Sequence, residues 1–193
     1  MTRERVLEIL KEAGVLLEGH FLLASGRHAK NYLQCARIFQ NTKYSEELCA
    51  ALAEKFASDN VNVVIGPAMG AVQMAYEVSR QIGCVNYFTE REDGKMTLRR
   101  GFSVAPGDRV LLVEDVITTG GSVKEVLELI TGMGATVVGI GSIVDRSRGA
   151  ATFSVPFKSV IQVEVESWEP CECPLCKEGA PAPYKPGSSS LKK

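Results

Sequence analysis

A surplus of either charge is missing: 22 lysines and arginines face 23 aspartates and glutamates across 193 residues, a formal net charge of -1. That balance gives no bulk attraction for nucleic acid or an anionic membrane, so neither is expected as a partner, although a local basic loop can still bind a phosphorylated small molecule. Long apolar runs are missing too. Met1 to Leu10 interleaves Arg3, Glu4, Arg5 and Glu8 with apolar residues, which is neither a signal-peptide core nor a membrane span, and a cytoplasmic location is the expectation. Cysteine is scarce for a disulfide-held scaffold: there are six, and Cys35, Cys49 and Cys84 fall in stretches that read as reduced core positions. Cys171, Cys173 and Cys176 overlap a CxC with a CxxC and could supply three thiolates to zinc, but no Cys or His follows Cys176 to complete a four-ligand site. The expectation is a tail turn with reduced thiols and no metal held by protein ligands. Two phosphate-binding motifs are also absent: no GxxxxGK precedes a Ser or Thr, and Gly139-Ile140-Gly141 lacks the third glycine of the dinucleotide fingerprint, which disfavours nucleotide hydrolysis. There is no internal repeat.

What is present is a core-forming chain. Hydrophobic residues make up 45% and charged residues 23%, a globular balance, and the length suits one compact domain with a small accessory element. Thr2 is placed to cap a helix with Val6, Leu7, Leu10 and Ala13 on one face and Gly14 at its end, covering an edge of the fold. Phe21 to Tyr32, around Ser25-Gly26-Arg27, reads as a loop or bent strand. Ser45 opens a second helix, with Leu48, Leu52 and Phe56 at helical spacing. Val61 to Ile65 reads as a strand, followed by a tight loop Gly66 to Gly70 and a helix from Val72 to Ile82. Strands follow at Cys84 to Phe88, Arg109 to Val113, Thr136 to Val144 and Val160 to Val165, with a helix at Val123 to Met133. Alternation of this kind predicts an α/β fold, a central parallel sheet flanked by helices. Thr89 to Arg100, with a turn at Asp93-Gly94, reads as an exposed hairpin or mobile loop suited to ligand contacts. The composition shifts at Glu169-Pro170, and the prolines and serines beyond argue against an ordered terminal helix.

The segment that carries chemistry is Val110 to Ser122. A buried apolar strand ends in two adjacent carboxylates, Glu114 and Asp115, then passes through Val116, Ile117, Thr118, Thr119, Gly120 and Gly121 to Ser122 at the start of a helix. Thr118 to Ser122 can offer hydroxyls and backbone N–H groups to a phosphate monoester, because the glycines allow close approach and a helix N-terminus favours negative charge. Glu114 and Asp115 are badly placed for that dianion but suited to accept hydrogen bonds from ribose hydroxyls. Each feature alone would describe an ordinary strand end and loop; the contiguous string is specific.

The string EDVITTGGS resembles the signature of the type I phosphoribosyltransferases, which bind phosphoribosyl pyrophosphate (PRPP). The resemblance implies that Glu114 and Asp115 hold the ribose hydroxyls, that Thr118 to Ser122 hold the 5-phosphate, and that Ala68, Met69 and Gly70 form the loop holding the pyrophosphate through main-chain amides. Phe21 to His28 with Tyr32 following, and Val144-Asp145-Arg146, resemble the substrate segments of the orotate-specific members, over nearly all of the chain before residue 170. That implies transfer of ribose 5-phosphate from PRPP to N1 of orotate in pyrimidine biosynthesis, with Arg146 pairing with the orotate carboxylate, Thr118 also touching the base, magnesium carried mainly by PRPP, and a homodimer sharing its catalytic loop across the interface. The alternative for Arg146 is a surface ion pair with Asp145 or a neighbour. The domain division follows as 1–169 for the transferase domain, with 1–42 as an N-terminal substrate-covering segment, and 170–193 for the Cys/Pro/Ser-rich tail.

Two departures stand out. Many members carry a lysine just before the Ser-Gly-Arg turn, where this chain has Ala24, and the loop Glu90 to Arg100 is short and lacks the histidine of their Lys-x-His pair. Arg91 and Lys95 are the candidates for the catalytic positive charge. The competing functions are a purine-base phosphoribosyltransferase, which would not need Arg146 against a carboxylate, and a PRPP-sensing regulator that binds nucleic acid, which would need a basic face.

Overall fold

The computed structural model describes residues 1–23 and 25–186, apart from the side chain of Met69. Ala24 and the run Ser188 to Ser190 lie outside the described residues. Helix α1 (Arg3–Glu12) is capped by the Thr2 side chain, which accepts from the Arg5 N–H, and buries Val6, Ile9 and Leu10. The segment Phe21 to Tyr32 belongs to an antiparallel hairpin, β1 (Leu16–Leu22) and β2 (His28–Leu33), whose register shifts between Glu18 and Phe21. A 3₁₀ helix (Cys35–Gln40) leads into α2 (Thr42–Glu54). That helix begins one turn earlier than expected: Asn41 is the cap, accepting from Lys43 N–H, and Ser45 is buried inside the first turns.

The main sheet has the order β5-β4-β3-β6-β7-β8. Its strands are β3 (Val63–Pro67), β4 (Val85–Glu92), β5 (Lys95–Leu98), β6 (Arg109–Ile117), β7 (Thr136–Asp145) and β8 (Phe157–Gln162), all parallel except β5 on the edge. Helices α3 (Ala68–Ile82) and α4 (Gly121–Gly132) follow β3 and β6. Side chains of the central strands alternate between two cores. Val64, Leu111 and Val113 face α1, α2 and α3, while Val63, Ile65, Val110 and Leu112 face α4. Strands buried on both faces read as continuous apolar runs, which is why these were visible in the sequence.

Several boundaries differ from expectation. The expected loop Gly66 to Gly70 is the end of β3 joined directly to the first turn of α3, with Ala68 at φ 50°. The charged segment Thr89 to Arg100 is an ordered β4–β5 hairpin turning at Asp93 and Gly94, both at positive φ, as a two-residue turn matching strand twist requires. Strand β8 lies three residues upstream of its expected position, and the tail contains a short helix, α5 (Pro174–Lys177), where no ordered helix was expected. The described tail folds back on the hairpin: Tyr184 exchanges backbone hydrogen bonds with His20 and Leu22, and Trp168 with His28, each at 2.8 Å. Among the described residues, no helix is long and apolar enough to cross a membrane.

Candidate active site

The chain leaves β3 outward to β4 and returns through β6 on the other side of β3. In an open α/β sheet a crevice forms at such a reversal, beyond the carboxyl ends of the strands. Here those ends carry Ala68 after β3, Glu114 to Thr118 at the end of β6, and Arg146 after β7. The β6–β7 ladder runs to Ile117 opposite Asp145, and Arg146 N–H donates to the Ile117 carbonyl at 2.8 Å, which fixes the two strand ends side by side.

The first cavity, about 360 Å³, is lined by Glu114, Val116 to Val123 and Arg91. Gly120 adopts φ 73°, and a side chain there would come within 2.6 Å of the Phe153 ring, so both conformation and space call for glycine. It caps α4 without a side-chain hydrogen bond, and the first amide bonded back into the helix is Lys124 N–H, to the Gly120 carbonyl at 2.9 Å. The amides of Gly121, Ser122 and Val123 therefore face the cavity without a partner in the helix, an anion site made by backbone alone. A Cβ on Gly70 would lie 3.8 Å from Glu114 Oε1, so the first turn of α3 sits beside that carboxylate.

Successive side chains of an extended strand point to opposite sides, and the two carboxylates do so. Glu114 lines the cavity. Asp115 is turned toward Tyr32 and Cys35, raising the pKa of both along with burial, and its Oδ1 accepts from Val116 N–H at 2.7 Å. Burial, then repulsion from Asp115, pushes the Glu114 carboxyl up to about 8. Burial pushes Asp115 up to about 6 against the pull of the Val116 N–H. Among the described residues neither has a cationic partner.

A second cavity, about 600 Å³, shares Val116, Thr118 and Thr119 with the first and is walled by Tyr32, Arg27 and Arg146. Arg146 Nε is buried with no hydrogen-bond partner among the described residues, and burial holds the guanidinium below its usual pKa. The ion pair with Asp145 is absent: Asp145 accepts from Ser147 N–H at 2.8 Å and from Gln162 Nε2 at 3.3 Å instead. A half-buried guanidinium whose Nε is orphaned beside open space suits a planar carboxylate, which would take two of its donors at once.

The two loop candidates are not brought together. Arg91 lines the first cavity, donates to the Gly94 carbonyl at 2.6 Å and pairs with Glu125 of α4 at 3.0 Å. Lys95 is exposed at the start of β5 and does not line that cavity. Met69 lies in the first turn of α3 by its backbone, with its side chain outside the description. Sequence reasoning missed Arg148 and Lys185, both lining the second cavity. Arg148 follows Arg146 by two residues and could have been suspected; nothing local to Lys185 marks it.

A phosphoribosyl transferase domain model matches residues 36–173. The chain is 56% identical to an orotate phosphoribosyltransferase from Caldanaerobacter subterraneus subsp. tengcongensis, over 99% of this chain and all of that one. It is 50% identical to an orotate phosphoribosyltransferase from Thermotoga maritima, over 97% of this chain and all of that one. A crystal structure of orotate phosphoribosyltransferase from Aeropyrum pernix superposes with a TM-score of 0.70 at 27% identity, over 82% of this chain and 93% of that one.

Proposed function

The chain belongs to the orotate phosphoribosyltransferase family, and from that premise we propose that its two joined cavities hold the two substrates of that reaction. The reaction transfers ribose 5-phosphate from PRPP to N1 of orotate, giving orotidine 5'-monophosphate and pyrophosphate, a step of pyrimidine biosynthesis. The C1–O bond to pyrophosphate breaks with its electron pair leaving on pyrophosphate, the N1–C1 bond forms, and the N1 proton is released.

The observation that carries the reading is Arg146, an unsatisfied guanidinium in a cavity that joins the phosphate cradle at Thr118 and Thr119. In this reading Thr118 to Ser122 hold the 5-phosphate, Glu114, which lines the cavity, accepts from the ribose hydroxyls with Asp115 behind it on the other side of the strand, and Ala68, Met69 and Gly70 hold the pyrophosphate with backbone amides. Val116 and Ile117 carry the strand end that spaces these groups. Arg146 grips the orotate carboxylate, and Thr118 contacts the base from the shared wall. Orotate's charge sits on the carboxylate and N1 gives up its proton as the N1–C1 bond forms, so the larger demand on the site is stabilisation of the departing pyrophosphate. Arg91 and Lys95 supply that charge from the β4–β5 hairpin.

Magnesium would enter on PRPP and neutralise part of the leaving group's charge. The lining fits it: Glu114 faces the cavity as a carboxylate without a cationic partner among the described residues, an oxygen ligand of the kind a hard cation takes. Residues 1–42 act as the cover of the orotate cavity, to which Tyr32 and Arg27 contribute, and residues 170–193 form a tail to the transferase domain 1–169. We place the reaction in the cytoplasm and in a homodimer that shares the hairpin. Tyr76 on α3, 59% exposed, beside Phe88 in an apolar groove supports such an interface.

The test is to offer orotate, uracil, adenine and hypoxanthine separately to the purified protein with PRPP and magnesium. Consumption of orotate alone, with one pyrophosphate released for each orotate used, is the expected result; turnover of a purine base instead would keep the PRPP site and contradict the assignment of the second cavity.

A further inference from the structure

Four side chains with no part in the proposed reaction converge where the tail meets the β1–β2 hairpin. His20 lies in the irregular stretch of β1, where the register with β2 shifts, His28 opens β2, Cys173 caps α5 and Cys176 lies within it. Their ligand atoms all lie within 4.8 Å of one another, and this is the one such His, Cys, Asp or Glu group among the described residues. The expectation that Cys173 and Cys176 lack completing ligands looked only downstream of Cys176; the fold brings them histidines from about 150 residues upstream.

The distances have the dimensions of a metal's coordination shell. A tetrahedral zinc with Zn–N of about 2.05 Å and Zn–S of about 2.3 Å has edges of roughly 3.3 Å between nitrogens and roughly 3.6 Å between nitrogen and sulfur. His20 Nε2 and His28 Nδ1 are 3.1 Å apart, Cys173 Sγ is 3.5 Å from His20 Nε2, and Cys176 Sγ is 3.7 Å from His20 Nε2 and 3.3 Å from His28 Nδ1. The other nitrogen of His20, Nδ1, lies 2.7 Å from the Pro181 carbonyl. An N–H there donates to that carbonyl, which leaves Nε2 as a bare lone pair directed into the cluster, the outer hydrogen bond that metal-bound histidines commonly make. Three groups then crowd one lone pair: His28 Nδ1, Cys173 Sγ and Cys176 Sγ. A lone pair accepts one good hydrogen bond, so a hydrogen-bonded network accounts for one of the three contacts, while a central cation accounts for all of them.

Two thiolates and two imidazoles are the donor set of closed structural zinc sites. We propose that His20, His28, Cys173 and Cys176 hold a structural zinc ion that fastens the tail to the hairpin. Cys173 is fully buried, as a closed site requires, and Cys171 is exposed and outside the cluster. The ion would act alongside the backbone pairs of Trp168 and Tyr184 and the hydrogen bonds of Arg27 to Ser167, closing a loop of the chain that side chains alone hold weakly.

The test uses the full chain, purified without an affinity tag from zinc-containing medium, with metal measured by inductively coupled plasma mass spectrometry. About one zinc per chain is expected, retained in Cys171→Ser and reduced at least tenfold in the Cys173→Ser/Cys176→Ser double variant, whose fold is checked by circular dichroism. If the double variant does not fold, wild-type protein stripped of metal and reloaded with cobalt(II) decides: intense visible d–d bands together with a thiolate-to-cobalt charge-transfer band support the site. Zinc below a tenth of an equivalent in the wild type, with no such spectrum on cobalt addition, or a Cys173–Cys176 disulfide in freshly purified protein, would overturn it.

Discussion

Glu114 is a carboxylate kept in a place that disfavours its charge. Burial and the neighbouring Asp115 push it up to about 8 from an ordinary value of 4.5. Between those two values the folded chain keeps a proton that the unfolded chain releases, so this residue makes stability fall as pH rises through that interval and level off above it. Glu114→Gln removes the charge and keeps the shape. It is expected to raise the melting temperature relative to wild type at pH about 8, with the gain shrinking toward pH about 4.5, and to lower transferase activity because the ribose keeps only a neutral amide oxygen in place of a charged acceptor. Thermal unfolding of both proteins across that range checks it, and an equal melting temperature at the alkaline end would show that Glu114 carries no such cost. The same residues show how far the sequence could be read. Glu114, Asp115 and the Thr-Gly-Gly turn were legible because they are contiguous. That Glu114 alone lines the cavity was not, because it depends on how β6 alternates beside its neighbours.

At the scale of elements, the β4–β5 hairpin is held to α4 by Glu125, which accepts from Met96 N–H at 2.6 Å and pairs with Arg91. The tether fixes Arg91 and leaves Lys95 exposed on the edge strand. If Lys95 stabilises the leaving pyrophosphate, Lys95→Ala should lower kcat by roughly a hundredfold, as loss of one preorganised donor does, with little change in melting temperature; unchanged turnover at saturating substrates would remove it from the mechanism. Packing between elements gives a second expectation. A methyl on Gly139 of β7 would lie 2.7 Å from the buried Phe56 ring below α2, so Gly139→Ala should cost about 1–3 kcal/mol of stability, read as a lower midpoint in urea. The element boundaries that the sequence misplaced have physical causes. Asn41 caps as well as Ser45 does, and Ser45 is spent on the buried face of α2. Val160 to Val165 alternates like a strand, but β7 ends at Asp145, paired with Gln162, so pairing within the ladder stops there whatever follows. β6 runs on through its carboxylates because β7 accompanies it to Ile117.

The molecule as a whole is an α/β sheet with a hairpin and a returning tail closing over one end. Alternating apolar runs made the sheet legible. The tail was not, because its docking rests on pairings between residues separated by 140 positions or more, Trp168 with His28 and Tyr184 with His20 and Leu22. Local composition, rich in proline and serine, pointed the other way. Since Lys185 lines the second cavity, the one proposed for orotate, and the tail buttresses the hairpin, a chain ending at Glu169 should raise the KM for orotate more than that for PRPP and melt at a lower temperature. Equal changes in both KM values would mean that the tail serves stability alone.

The central claim is that Arg146 reads the carboxylate that distinguishes orotate from other pyrimidines. The most direct measurement is kcat/KM for orotate and for uracil, in wild type and in Arg146→Ala, at fixed PRPP and magnesium. Wild type should prefer orotate strongly, and the variant should lose about a hundredfold or more in kcat/KM for orotate, the cost of breaking a bidentate charged pair, while its kcat/KM for uracil hardly changes. An equal loss for both bases, or none for orotate, would contradict the account.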